Sequence, residues 1–143
     1  MNFKTKITTH YDALLHADQE ILSHIGKILV SNIREKMMNQ VDVNDQPYAP
    51  LSKKYAMKVY SENPSYKTLI SHSGKLFASI NWEIIGSTLR IYSDKDYAEY
   101  HNKGTEHIPQ RQFIPDKDSE MITKATKKAI NTFIAKQTKK NKK

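Results

Sequence analysis

Residues 69–113 read LISHSGKLFASINWEIIGSTLRIYSDKDYAEYHNKGTEHIPQRQF, and the pattern inside them decides the fold. Ile80, Trp82 and Ile84 recur at period two. Gly86-Ser87 follow, and Leu89 and Ile91 then alternate with Thr88, Arg90 and Tyr92. Alternation places one set of side chains on each face of a strand, and the Gly-Ser interruption supplies the positive φ of a tight turn. The spacing therefore predicts a β-hairpin over 80–93. Ahead of it, Leu76, Phe77 and Ile80 enter the core from a short helix that begins behind Ser73-Gly74. Behind it, Asp96 to Lys103 has an acidic start and stops at Gly104, which reads as another short helix. His101 lies four residues after Tyr97 and shares its face. Residues 108–115 form a proline-bracketed extended piece, and a further strand contribution is expected near 111–113.

Upstream of this stretch the period changes. Ile21, Leu22, Ile25, Ile28, Leu29, Ile33 and Met37 recur at three and four. They predict a long amphipathic helix over roughly 11–40, broken near Ala17, with Leu14 and Leu15 extending its stripe. Residues 1–9 are expected to be poorly ordered or to form an edge strand. Asn44-Asp45-Gln46-Pro47 is turn chemistry and makes 41–50 a loop. Ser52 caps a short helix over 53–60, and 61–67 is a second polar, mobile loop. Downstream, Asp116, Asp118 or Ser119 caps a last helix. Its apolar face is Ile122, Ala125, Ala129, Ile130, Phe133 and Ile134. Beyond Gln137 only Thr138, Asn141 and lysines remain, too little apolar surface to fold alone. The fold class is thus α+β: a small antiparallel sheet packed against long N-terminal and C-terminal helices. Residues 1–135 form one domain, and 136–143 a basic tail without structure of its own.

The chain has 143 residues, no cysteine and a net charge of +8. That is one domain by length, without disulfide or thiol chemistry. No run is long enough to cross a bilayer, and the N-terminus lacks the apolar core of a signal peptide, so no membrane partner is expected. Residues 124–143 contain eight lysines and no acid, whereas 1–123 hold 15 basic against 15 acidic residues. The body is balanced and the excess sits in a cationic arm. Lys136, Lys139, Lys140, Lys142 and Lys143 at its end are the residues suited to phosphate contact, in a salt-sensitive and sequence-blind way. No aromatic residue is interleaved after Phe133, which argues against base stacking.

Catalytic constellations are lacking. Ser73 in HSGK has no nucleophile elbow around it, and Gly74-Lys75 has no Gly-rich run before it. Asp94, Asp96 and Glu99 cluster at a helix start, where capping explains them. His101, Glu106 and His107 are close in sequence, but a hydrogen-bonded pair near a turn explains them more simply than a metal site with three ligands. No catalytic, cofactor or metal residue is assigned, and the chain is not expected to be an enzyme. Arg111, between Pro109 and Phe113, is the residue to single out. It suits either a contact with another subunit, through its planar fork of donors, or a salt bridge to a carboxylate of its own chain.

The order of these pieces resembles the phage virion morphogenesis family, the tail completion proteins of Mu-like and related phages and prophages. The matching residues are Pro47-Tyr48-Ala49-Pro50-Leu51-Ser52, Ser73-Gly74-Lys75-Leu76, Ser79-Ile80, Ile85-Gly86-Ser87, Tyr97-Ala98 with His101-Asn102 and Gly104, and Ile108-Pro109 with Arg111 and Phe113. Tyr48 stands where the family carries Trp, and Gln110 and Gln112 where it carries Ala and Pro. The resemblance implies a structural protein of the virion that completes the tail at the head–tail joint. It implies binding to like subunits in a ring and to neck, connector and tail-tube proteins, with assembly in the bacterial host cytoplasm. Tyr48, Tyr97, His101, Arg111 and Phe113 are the expected partner contacts, and loops 41–50, 61–67 and 103–109 are the expected contact surfaces. The lysine arm would face DNA passing through the joint, or an acidic neighbour. The alternative reading is a small nucleic-acid-binding module that acts through that arm.

Overall fold

The computed structural model describes residues 3–8 and 15–141. The elements run β1 (Phe3–Thr8), α1 (Leu15–Met38), α2 (Lys53–Glu62), α3 (Lys75–Ser79), β2 (Asn81–Ile85), β3 (Thr88–Ser93), α4 (Ala98–Lys103) and α5 (Glu120–Asn141). The fold is α+β, as the periodicities require.

The hairpin forms where alternation and turn chemistry place it. Trp82 pairs with Ile91 and Ile84 with Leu89, so the apolar residues of both strands share one face. Glu83 and Arg90 pair on the other, where Nη1 of Arg90 stands 3.7 Å from Oε1 of Glu83. Gly86, with φ of 62°, closes the turn. Of the two possibilities for the N-terminus, the edge strand is the one observed. β1 runs antiparallel to β3, with Phe3 opposite Ser93 and Thr8 opposite Thr88, and the sheet order is β1-β3-β2. β3 is the central strand. Both Leu89 and Ile91 on it are fully buried, which stabilises the fold by about 1.5–3 kcal/mol for each such side chain.

α1 is the element that both layers share. Its stripe of Leu22, Ile25, Leu29, Ile33 and Met37 is buried. The helix packs on β2 and β3 and also along α5. The C-terminal helix thus lies chiefly on α1 rather than on the sheet. Met121, Ile122, Ala125 and Ala129 of α5 are buried, but Ile134 is 55% exposed, so the predicted apolar face is used only over its first half. α1 runs without a break through Ala17, and Leu14 lies outside the described residues.

Two further expectations change. No strand forms at 111–113, because the amides there are taken by side-chain and helix-end acceptors rather than by a sheet edge. In addition, α5 continues as far as Asn141. Lys and Gln are good helix formers, and extending a helix already anchored by packing is far easier than nucleating one. Residues 142–143 lie outside the described residues. No described helix is long and apolar enough to cross a membrane.

The end of α1 shows how local sequence can yield to tertiary demand. Val41 N donates to Lys36 O and Gln40 N to Met37 O, a Schellman closure with Gln40 in the left-handed region at φ 58°. Glycine is usual there. Gln40 is held by its side chain instead: Nε2 donates to Thr68 O at 2.9 Å, and Oε1 accepts from Thr68 N at 2.8 Å. This clamp ties the end of α1 to the segment that leads into α3.

Candidate functional site

The site is built from the turn that follows α4. Gly104 ends that helix with φ of 78°, its N–H donating to Tyr100 O. A β-carbon at Gly104 would stand 2.9 Å from Gln110 N, so glycine is required for both conformation and space. Thr105 then organises the turn. Its Oγ1 accepts from the amides of His107 and Ile108, and its own N–H donates to Ile108 O. The returning chain is stitched to α4. Arg111 N donates to His101 O at 2.8 Å, and Gln110 Nε2 donates to Asn102 O at 3.1 Å. Oδ1 of Asn102 accepts from both Phe113 N, at 3.0 Å, and Ile114 N, at 2.9 Å. Asn102 is 2% exposed. One amide oxygen therefore satisfies two buried donors that a neighbouring strand would otherwise serve.

Arg111 carries the connection onward. Its Nε donates to Ala49 O at 2.8 Å and its Nη2 to Pro50 O at 3.1 Å. The guanidinium therefore pins the 47–50 segment across the returning chain. Of its two expected roles, the intrachain salt bridge is replaced by bonds to two backbone carbonyls. Arg111 is 6% exposed, and among the described residues no carboxylate pairs with it. Burial draws its pKa below the ordinary arginine value, against the opposing influence of Tyr66 and Tyr48.

The other residues predicted as contacts divide by burial. Phe113 is 2% exposed and belongs to the core, so its role within the monomer is packing. Tyr48 is half-buried and its hydroxyl has no protein partner. Burial, with a contribution from Asp42, pushes that hydroxyl well above the usual tyrosine range. Tyr97 is 40% exposed and meets His101 edge to face, ring centroids 6.2 Å apart. Burial, then Arg111 and then His72, holds the His101 imidazole below its ordinary pKa. Nδ1 of His101 is buried without a partner. On the arm, Lys136 Nζ reaches Glu20 Oε1 at 3.0 Å and Lys139 is exposed. The side chains of Lys140, Lys142 and Lys143 lie outside the described residues.

Between these pieces lies an open cleft of about 700 Å³. Pro50 to Ser52, Ser73 to Leu76, Tyr97 with His101, and Ile108, Pro109 and Arg111 all line it. Four of the sequence pieces noted above, scattered between residues 50 and 111, thus converge on one surface. Each of the loops 41–50, 61–67 and 103–109 contributes to it, through Pro50, Tyr66 and His107. Tyr66 is held there by an edge-to-face contact with Tyr60 at 6.0 Å, and its hydroxyl is pushed up to about 12, first by burial and then by Tyr55. His101 and His107 both line the cleft. Among the described residues no group of three His, Asp or Glu side chains is placed to hold a metal. Sequence reasoning passed over Asn102 and Gln40. Asn102 stood inside a recognised piece without an assigned role, and nothing local marks Gln40 as a clamp.

No curated protein and no solved structure matched the chain. The model of the phage virion morphogenesis family matches residues 4–136, a span that contains the sheet apart from Phe3, all of the cleft and most of α5. The chain belongs to the phage virion morphogenesis family.

Proposed function

We propose that this protein completes the phage tail at the head–tail joint, acting by docking rather than by catalysis. Family membership gives the coarser role, building the virion. The observation that supports docking is the convergence of three loops and four sequence pieces on one cleft, held rigid by Arg111, Asn102 and Gln40. Pre-organised surfaces of this kind bind without a large ordering cost. In this reading copies of the chain join one another through a heterologous interface that closes into a ring. The ring meets neck and connector proteins on one side and the tail tube on the other. Assembly takes place in the host cytoplasm, and the finished protein resides at the joint.

The lysine arm is assigned to DNA at the joint, through Lys136, Lys139, Lys140, Lys142 and Lys143. A free-standing nucleic-acid-binding module is the weaker reading. The charge of the body is balanced, so such a module would have only the arm to bind with. Deleting 136–143 and following DNA retention across a salt series tests the assignment. Phosphate contacts predict retention that weakens with salt in the full chain and is lost in the deletion. Identical retention at every salt concentration removes DNA from the account.

A further inference from the structure

The cleft has a charge character that docking in general does not require. Arg111, Lys75, His72, His101 and His107 line it, and among the described residues no carboxylate does. A buried guanidinium without a carboxylate is costly, because backbone carbonyls offset only part of the desolvation of a full charge. Arg111 is in that position. Two of its nitrogens are spent on Ala49 O and Pro50 O, while the guanidinium has five N–H donors in all. Much of the remaining lining is apolar or aromatic, including Leu51, Leu76, Ile108, Tyr55 and Tyr97. Nucleic-acid backbones are gripped by exposed arrays of Lys and Arg. Here the arginine is buried among apolar groups, which favours a compact anion carried by an apolar body.

We propose that this cleft receives an acidic segment of a partner protein, with a carboxylate set towards Arg111 and apolar side chains against Leu51, Leu76 and Ile108. The segment supplies the negative charge that the fold leaves out. Burying that charge beside Arg111 makes the contact selective, since a neutral or basic segment would leave the guanidinium uncompensated. The proposal rests on the assembly reading only for the kind of ligand, a protein segment.

A random dodecapeptide library panned on the immobilised full-length protein tests it. Enriched peptides should carry Asp or Glu next to apolar residues, and their Glu→Gln versions should bind about tenfold or more weakly. His72 and Lys75 are exposed, so His72→Glu and Lys75→Glu probe the cleft without disturbing the core. They should weaken binding by a similar factor, while the charge-matched control Lys127→Glu, Lys128→Gln on α5 should not. Amide shifts on titrating the best peptide should cluster at 50–52, 72–76 and 107–111. Enrichment of neutral or basic peptides overturns the proposal. So does equal binding by the cleft variants, displacement by single-stranded DNA, or concentration-dependent shifts of the same amides without peptide, which would make a second copy the occupant. In phage, a null allele that blocks joining together with a fully active His72→Glu, Lys75→Glu allele would retain the assembly role and discard the cleft. A null allele without effect would discard the assembly role itself.

Discussion

Gly26 and Trp82 approach so closely that a β-carbon on Gly26 would stand 2.6 Å from Cδ2 of the indole and 2.7 Å from Cγ. This contact is where α1 meets β2. A glycine in mid-helix weakens the helix by about 1 kcal/mol relative to alanine, yet here it admits the largest side chain of the hairpin. Gly26→Ala is therefore expected to destabilise the protein by about 1–3 kcal/mol through overpacking, despite the gain in helix propensity. Urea unfolding measures the change. In a Trp82→Val background the same substitution should become neutral or stabilising, because the steric conflict is gone.

Arg111→Lys keeps the charge and loses the fork. A lysine ammonium cannot reproduce the paired bonds to Ala49 O and Pro50 O. A loss of about 1–3 kcal/mol is expected, the scale of a charge-assisted hydrogen bond. The released 47–50 segment leads into α2, so trypsin should cut at Lys53 or Lys54 faster in the variant than in the parent. Unchanged cleavage and unchanged stability would mean that the guanidinium does not hold the loop.

Asn102 separates acceptor from volume. Asn102→Ala leaves the amides of Phe113 and Ile114 without their acceptor, and a loss of about 2–5 kcal/mol is expected for two unsatisfied buried donors. Asn102→Asp preserves an acceptor oxygen and should fold at neutral pH with a smaller loss. Equal losses from the two substitutions would assign Asn102 a packing role only.

Much of this arrangement was legible from periodicity, and the remainder was not, for identifiable reasons. Strand alternation and Gly86-Ser87 marked the hairpin, because a half-buried sheet leaves a period-two imprint on its own residues. The stripe from Leu22 to Met37 marked α1 in the same way. The close approach of Gly26 to Trp82 leaves no local imprint, since a helical glycine looks like a weak point until its neighbour is known. Residues 111–113 were extended enough to suggest a strand, and nothing nearby in sequence showed that Asn102 would replace a sheet edge. Arg111 stands out from its setting, which leaves a contact with another subunit and an intrachain carboxylate as its two readings. Backbone carbonyls such as Ala49 O are invisible to a reading of side-chain types. The pieces lining the cleft were recognised in order along the chain, and only the fold shows that they meet.

His101 gives the protein a predicted pH dependence. Its imidazole faces Arg111, His72 and Tyr97, and its pKa in the folded chain lies below the ordinary histidine value. Below about pH 6.5 the unfolded chain binds a proton that the folded chain resists, so stability falls as pH drops. The loss should begin as pH passes down through the unfolded value and level off once the folded value is passed. Thermal unfolding between about pH 7.5 and pH 5 follows it. His101→Gln should flatten the curve in that window, whereas a curve unchanged by the substitution would place the titration elsewhere.

The proposed role at the head–tail joint is tested most directly by what a phage does without this chain. A stop codon early in the gene should yield filled heads and separate tails, visible by electron microscopy of the lysate, and purified protein added to that lysate should restore joined, infectious particles. Joined particles in normal yield without the protein, or a block in DNA replication before heads and tails form, would contradict it.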